Sequence, residues 1–99
     1  MKLSEHLIKA KTLIDTPKKW CQGMYHNPFN NTCCASGALI MVDQTQFANV
    51  HEGCKLLRKA IGTETLTLWN DDPARTHEEV MQAFDGAIKL AQEQEAKNS

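Results

Sequence analysis

The residues of this sequence best suited to chemistry are its cysteines, Cys21, Cys33, Cys34 and Cys54. Cys33 and Cys34 follow Thr32, which reads as the N-cap of a helix running from Cys33 to about Val42. A thiol in the first turn of a helix faces unpaired N–H groups and the positive end of the helix dipole, and both favour thiolate. Cys34, or less favourably Cys33, could then act as a nucleophile, with His26, His51 or His77 as base and Asn70 or Asp71 orienting that base. The plainer alternative is a small buried hydrophobe, the usual role of a free cysteine. No spacing in the chain brings a histidine beside either thiol.

Metal binding is a second chemistry. Cys21, His26, Cys33 and Cys34 offer soft and borderline ligands within one loop-rich segment, a set that zinc accepts. Their spacing, C-x4-H-x6-C-C, matches no known zinc pattern, and a helix start tends to aim adjacent cysteines apart. No cofactor is expected, with zinc the one the residues would admit. A third cluster is the turn Trp69-Asn70-Asp71-Asp72-Pro73-Ala74-Arg75-Thr76. Paired carboxylates there could bind a metal or work as acid and base. Equally, Asn and Asp shape turns, acidic charge suits the helix that follows, and Arg75 can pair with Asp71 or Asp72. Lys9, Lys11, Lys18 and Lys19, with Lys55, Arg58 and Lys59, lack interleaved aromatics and read as solvated helix faces.

The elements that would position these groups are helical. The chain has 99 residues, fits one domain spanning 1–99, and carries 41% apolar and 23% charged residues, as folded domains do. Its net charge of -1 gives no field to draw it onto nucleic acid or an anionic membrane, so neither partner is expected. No window is apolar for long enough to span a bilayer. Lys2, Glu5, His6, Lys9 and Lys11 interrupt the first stretch, so a signal peptide is not expected. The expected place is the cytoplasm, where the cysteines would be thiols or metal ligands rather than disulfides.

Leu3 to Ile14 predicts a helix with Ser4 as N-cap and a Leu3–Ile8 staple; Leu7, Ala10 and Ile14 form its apolar stripe. Thr16-Pro17 opens a short turn that carries Trp20 inward. Gln22 to Thr32 is rich in turn formers and shows no alternation, so it reads as a loop. In the next helix Gly37 hints at close approach by another backbone. Thr45 caps a helix whose stripe is Phe47, Val50, Cys54, Leu57 and Ile61, closed by Gly62. Thr63 to Trp69 reads as a short helical turn or connector. Thr76 and Glu79 form a capping box ahead of Val80, Phe84, Ala87, Ile88 and Ala91, and 92–99 should fray. The expectation is an all-α fold, a compact bundle of about four helices, with Trp20 and Trp69 plugging its ends through paired indole N–H groups.

Several stretches resemble an uncharacterised family of short bacterial and phage proteins, domain of unknown function 6197. They are Leu13-Ile14 with Trp20-x-Gln22-Gly23, then Cys34-Ala35-x-Gly37-Ala38-Leu39. The closing motif is the most specific: Trp69-Asn70-Asp71-x-Pro73-x-Arg75-Thr76-x-x-Glu79-Val80, followed by Phe84-Asp85-x-Ala87-Ile88. The resemblance spans most of the chain and implies a small helical fold, without an activity.

A non-enzymatic binding protein is the leading functional expectation, acting on a protein partner or a small-molecule ligand and forming a homo-oligomer. Its contact surface would combine the Gln22–Asn31 loop with the Trp69–Arg75 turn, through Trp20, Gln22, Trp69, Asn70, Asp71 and Arg75. If phage-encoded, the chain has a size that suits an inhibitor of a host factor or a sequestering protein for a signal molecule in the host cytoplasm. The alternatives are a cysteine-dependent hydrolase or transferase using Cys34, and a small zinc-stabilised module.

Overall fold

The structure, a computed structural model, describes residues 1–98. Five α-helices carry the fold: α1 (Leu3–Leu13), α2 (Ala35–Val42), α3 (Phe47–Ile61), α4 (Leu66–Asp71) and α5 (His77–Lys97). A 3-10 turn at Pro17–Lys19 and a hairpin of β1 (His26–Asn27) with β2 (Thr32–Cys33) fill the segment between α1 and α2. The molecule is thus predominantly helical, as the apolar periodicity requires.

α1 packs against α2 and α5, and α3 packs against α5. Leu7, Ala10 and Ile14 meet Ala35, Ala38 and Leu39 of α2 and Val80, Phe84, Ala87 and Ala91 of α5 in one buried cluster. Burial of each large apolar side chain contributes roughly 1.5–3 kcal/mol. His6 lies within this core, its Nε2 2.8 Å from the Leu39 carbonyl.

Several local expectations are corrected. Lys2, not Ser4, is the N-cap of α1, and it makes no side-chain cap bond. Ile8 is exposed, so the staple with Leu3 does not form. Ser4 instead donates to Glu95: its backbone N–H at 3.0 Å and its hydroxyl at 2.6 Å. That contact draws a carboxylate to the positive end of α1 and ties α1 to α5, which runs to Lys97. Gln46 rather than Thr45 caps α3, because Thr45 turns to the Asp43 carboxylate. The buried face of α3 is Gly53, Leu56 and Leu57, which leaves Phe47 exposed. Ile88 is half-buried.

The loop reading of Gln22–Thr32 is corrected too. His26 pairs with Cys33 and Asn27 with Thr32 in an antiparallel register. Asparagine side chains, not alternating apolar residues, form this hairpin. Asn27 Oδ1 accepts from Phe29 N–H, Asn30 Oδ1 accepts from the Thr32 hydroxyl, and Asn31 takes the left-handed φ of 55° that asparagine tolerates. The Thr76–Glu79 capping box and the left-handed Gly62 (φ 72°) stand where the sequence put them.

The close approach expected at Gly37 is present. A Cβ there would lie 1.8 Å from the Tyr25 carbonyl oxygen. That oxygen also accepts the Cys34 N–H at 3.1 Å, so loop and helix are joined backbone to backbone. Gly37→Ala should therefore lower the unfolding free energy measured by urea titration by about 3 kcal/mol. A loss below about 1 kcal/mol would contradict the contact.

Hydrogen bonds from the Ser4 hydroxyl and then its backbone hold the Glu95 carboxyl below its usual value. A carboxyl lowered by folding adds stability above its unfolded value, and that stability is lost as pH falls through the folded value. The stability gap between wild type and Ser4→Ala should hence be present at neutral pH and close on acidification. Unfolding midpoints across a pH series check this, and a gap that persists in acid would contradict it.

Candidate functional site

The Asn70 carboxamide, fully buried in the last turn of α4, gathers the expected site residues. Its Oδ1 accepts the Trp20 indole N–H at 2.8 Å and the Ala35 backbone N–H at 3.1 Å. Its Nδ2 donates to the Cys21 carbonyl at 3.1 Å and to Asp71 Oδ1 at 2.9 Å. Two lone pairs and two hydrogens are all that a carboxamide has, and all are used.

Its neighbours extend the knot. Gln22 Nε2 donates to the carbonyls of Asn70 (2.9 Å) and Asp72 (2.8 Å), groups that a helix C-terminus leaves open. Gly23 N–H donates to Asp71 Oδ1 at 2.9 Å. Arg75 lies 4.0 Å over the Trp69 ring, donates from Nε to the Trp69 carbonyl at 2.9 Å, and pairs with Glu79 at 2.9 Å. Its approach to Asp72 is looser, 3.9 Å, so Glu79 is the main partner rather than the acidic turn. Of the two indoles, Trp20 has its N–H paired as expected, while Trp69 carries the guanidinium.

Trp20, Gln22, Trp69, Asn70, Asp71 and Arg75 are therefore brought together, with most of their polar groups spent on one another. What the knot presents outward is a set that the sequence reading missed. A pocket of about 350 Å³ is lined by Gly23, Met24, Tyr25, Cys34, Thr67 and Asp71. Met24 and Tyr25 are exposed on its wall, and Phe29, in the turn of the hairpin that follows, is exposed by 98%. The available signal was three large apolar residues in a turn-rich stretch, belonging to no helical stripe.

The cysteines divide by environment. Cys34, not Thr32, is the N-cap of α2, and the helix starts at Ala35, which leaves Cys33 in β2. Cys34 Sγ accepts the Gly37 N–H at 3.3 Å, and Asn70 takes that of Ala35. The open N–H groups of the helix start are thus already occupied. Burial outweighs their pull and pushes the Cys34 thiol up to about 11, so it is protonated at neutral pH. Burial raises Cys33 and Cys54 as well. Among the described residues no hydrogen bond joins a histidine to Cys33 or Cys34; the His26 ring meets Asn31 and the His77 ring meets the Ile14 carbonyl. This geometry does not prepare a thiolate nucleophile.

Among the described residues no group of three or more His, Cys, Asp or Glu side chains could hold a metal ion, so Cys21, His26, Cys33 and Cys34 are not gathered into such a set.

The chain belongs to a family of unknown function (DUF6197), which it matches over residues 1–90. No curated protein and no solved structure matches it.

Asn70→Ala would leave the Trp20 N–H, the Ala35 N–H and the Cys21 carbonyl without partners in a buried place. Each such loss costs about 1–3 kcal/mol, so the total should exceed about 3 kcal/mol. Chemical unfolding followed by tryptophan fluorescence, from Trp20 and Trp69 together, measures it. A cost under about 1 kcal/mol would mean that the knot does not hold the loop.

Proposed function

We propose that this chain is a non-enzymatic binding protein for a protein partner or a small ligand, with its contact face on the loop that carries Met24, Tyr25 and Phe29 and on the adjoining pocket beside Asp71. One observation carries the reading. A segment with almost no regular structure is tied to α4 by Gln22, Gly23 and Asn70, yet its large apolar side chains face solvent. Folding alone favours burying such groups. A loop fixed before its partner arrives loses less conformational freedom on binding, so exposed apolar side chains on a pinned loop favour recognition. Tyr25 adds a rigid ring with a polar tip, a residue type common at contact centres.

The cysteine-hydrolase alternative is disfavoured by the burial of Cys34, which outweighs the hydrogen bonds its sulfur accepts at the helix start.

The test is native mass spectrometry of untagged protein from its own cell, comparing wild type with a Tyr25→Ala, Phe29→Ala double variant. Both side chains are exposed, so stability should change by no more than about 0.5 kcal/mol per site. A co-purifying species on the wild type should be lost from the variant, with affinity lower by at least about tenfold. A wild type that carries nothing, or a species held equally by both proteins, would contradict the proposal. The same spectrum reports whether the bound species is a second copy of the chain.

A further inference from the structure

Cys21 and Cys34 are set against each other by three features of the fold. Trp20 forms a parallel bridge with Cys33, and the Cys21 N–H donates to the Cys33 carbonyl at 2.9 Å. Side chains alternate along paired extended segments. Trp20 and Cys33 therefore share one face, and the residues that follow them, Cys21 and Cys34, share the other. The first face is the core, where Cys33 is buried and Trp20 packs against it. The second face is the Met24–Tyr25 segment: Cys21 Sγ lies 3.6 Å from the Met24 carbonyl, and Cys34 lines the pocket beside Met24 and Tyr25. Finally, the single Asn70 carboxamide spans the Cys21 carbonyl and the Ala35 N–H, each at 3.1 Å. Paired backbones lie about 4.7–4.9 Å apart, inside the Cα spacing of roughly 4.4–6.8 Å that a disulfide takes.

We propose that Cys21 and Cys34 form a redox modification site, a dithiol that a peroxide converts to a disulfide. Cys21 is the half-exposed member and reacts first. Its thiolate sulfur attacks one peroxide oxygen and the O–O bond breaks. Cys21 becomes a sulfenic acid, and the second oxygen leaves as water or alcohol. The Cys34 sulfur then displaces the hydroxyl from the Cys21 sulfur; the S–S bond forms, and the hydroxyl departs as water with the Cys34 proton. The two sulfurs together lose two electrons and the peroxide gains them. Cys34 lies buried behind the loop, which suits it to the second step rather than the first. Cys33, facing the core beside Trp20, takes no part. The new bond would join the two ends of the loop that presents Tyr25 and Phe29 and would remove a thiol from the pocket wall.

The reduced, folded full chain is treated with hydrogen peroxide, the remaining thiols are alkylated after unfolding, and the peptides are mapped by mass. Residues 20–54 contain no Lys or Arg, so trypsin leaves all the cysteines on one peptide. Chymotrypsin, cutting after Tyr25 and Phe29, separates Cys21 from Cys34. The expected result is an intramolecular cross-link from Cys21 to the Cys33-Cys34 peptide, reversed by dithiothreitol and accompanied by a raised unfolding midpoint. The cross-link should form unchanged in Cys33→Ser and be absent in Cys34→Ser, where dimedone should trap the Cys21 sulfenic acid. Serine is itself a good N-cap, so the Cys34→Ser protein keeps its helix start. A cross-link lost in Cys33→Ser, one that uses Cys54, cross-links only between chains, or further oxidation of Cys21 beside a free Cys34 would overturn the proposal.

Discussion

One buried carboxamide holds this molecule's irregular half to its helical half. Asn70 has no exposure, and its four hydrogen-bonding positions reach a tryptophan ring, a loop carbonyl, the first turn of α2 and a neighbouring carboxylate. Such a group is stable inside protein only when every position is filled, because an unpaired polar atom in a dry place costs more than a paired one contributes. The loop, α2 and α4 must therefore keep their mutual positions for any one of these bonds to persist. The Gly37–Tyr25 contact enforces the same arrangement from the other side through sterics: it admits the loop backbone only where a side chain is missing.

This constraint explains why residues of the W-N-D-x-P-x-R-T motif make so many of their polar contacts within the fold. Trp69 and Arg75 stack, Arg75 reaches Glu79, and Glu79 closes the capping box of α5. Asp71 orders Gly23, and Gln22 closes the end of α4. Polar atoms used this way are poorly placed to recognise a partner. The proposed contact face therefore rests on what they hold in place: the exposed Met24, Tyr25 and Phe29, and the pocket wall where Cys34 and Thr67 meet Asp71. The cysteines follow the same logic, since Cys34 at the start of α2 acts as a cap rather than as an activated thiol.

The helices were legible because their signals are local. The capping box at Thr76, the left-handed Gly62 and the stripe of Leu7, Ala10 and Ile14 each depend on residues a few positions apart. Gly37 was legible for a related reason: a glycine inside a helix asks for a neighbour. Errors fell where another partner competes with a cap rule, whether distant in sequence or near. Ser4 would cap α1, but Glu95, 91 positions away, takes it; Thr45 would cap α3, but Asp43, two positions back, takes it. The hairpin at His26–Cys33 was invisible because asparagine side chains build it and no apolar pattern marks it. The candidate site was half legible. The structure does bring the turn and the loop together, with most polar atoms of the residues named there bonded to one another, and sequence does not tell which polar atoms are already spent.

Hydrogen exchange followed by NMR at the Trp20 indole N–H and the Ala35 amide tests the central claim most directly, since both donate to Asn70 Oδ1. If the carboxamide joins loop to bundle, both protons should exchange only through openings nearly as costly as global unfolding, in step with the amides of Phe84 and Ala87 in α5. Exchange at the rate of an open loop, while the α5 amides stay protected, would show that the irregular half moves independently of the bundle.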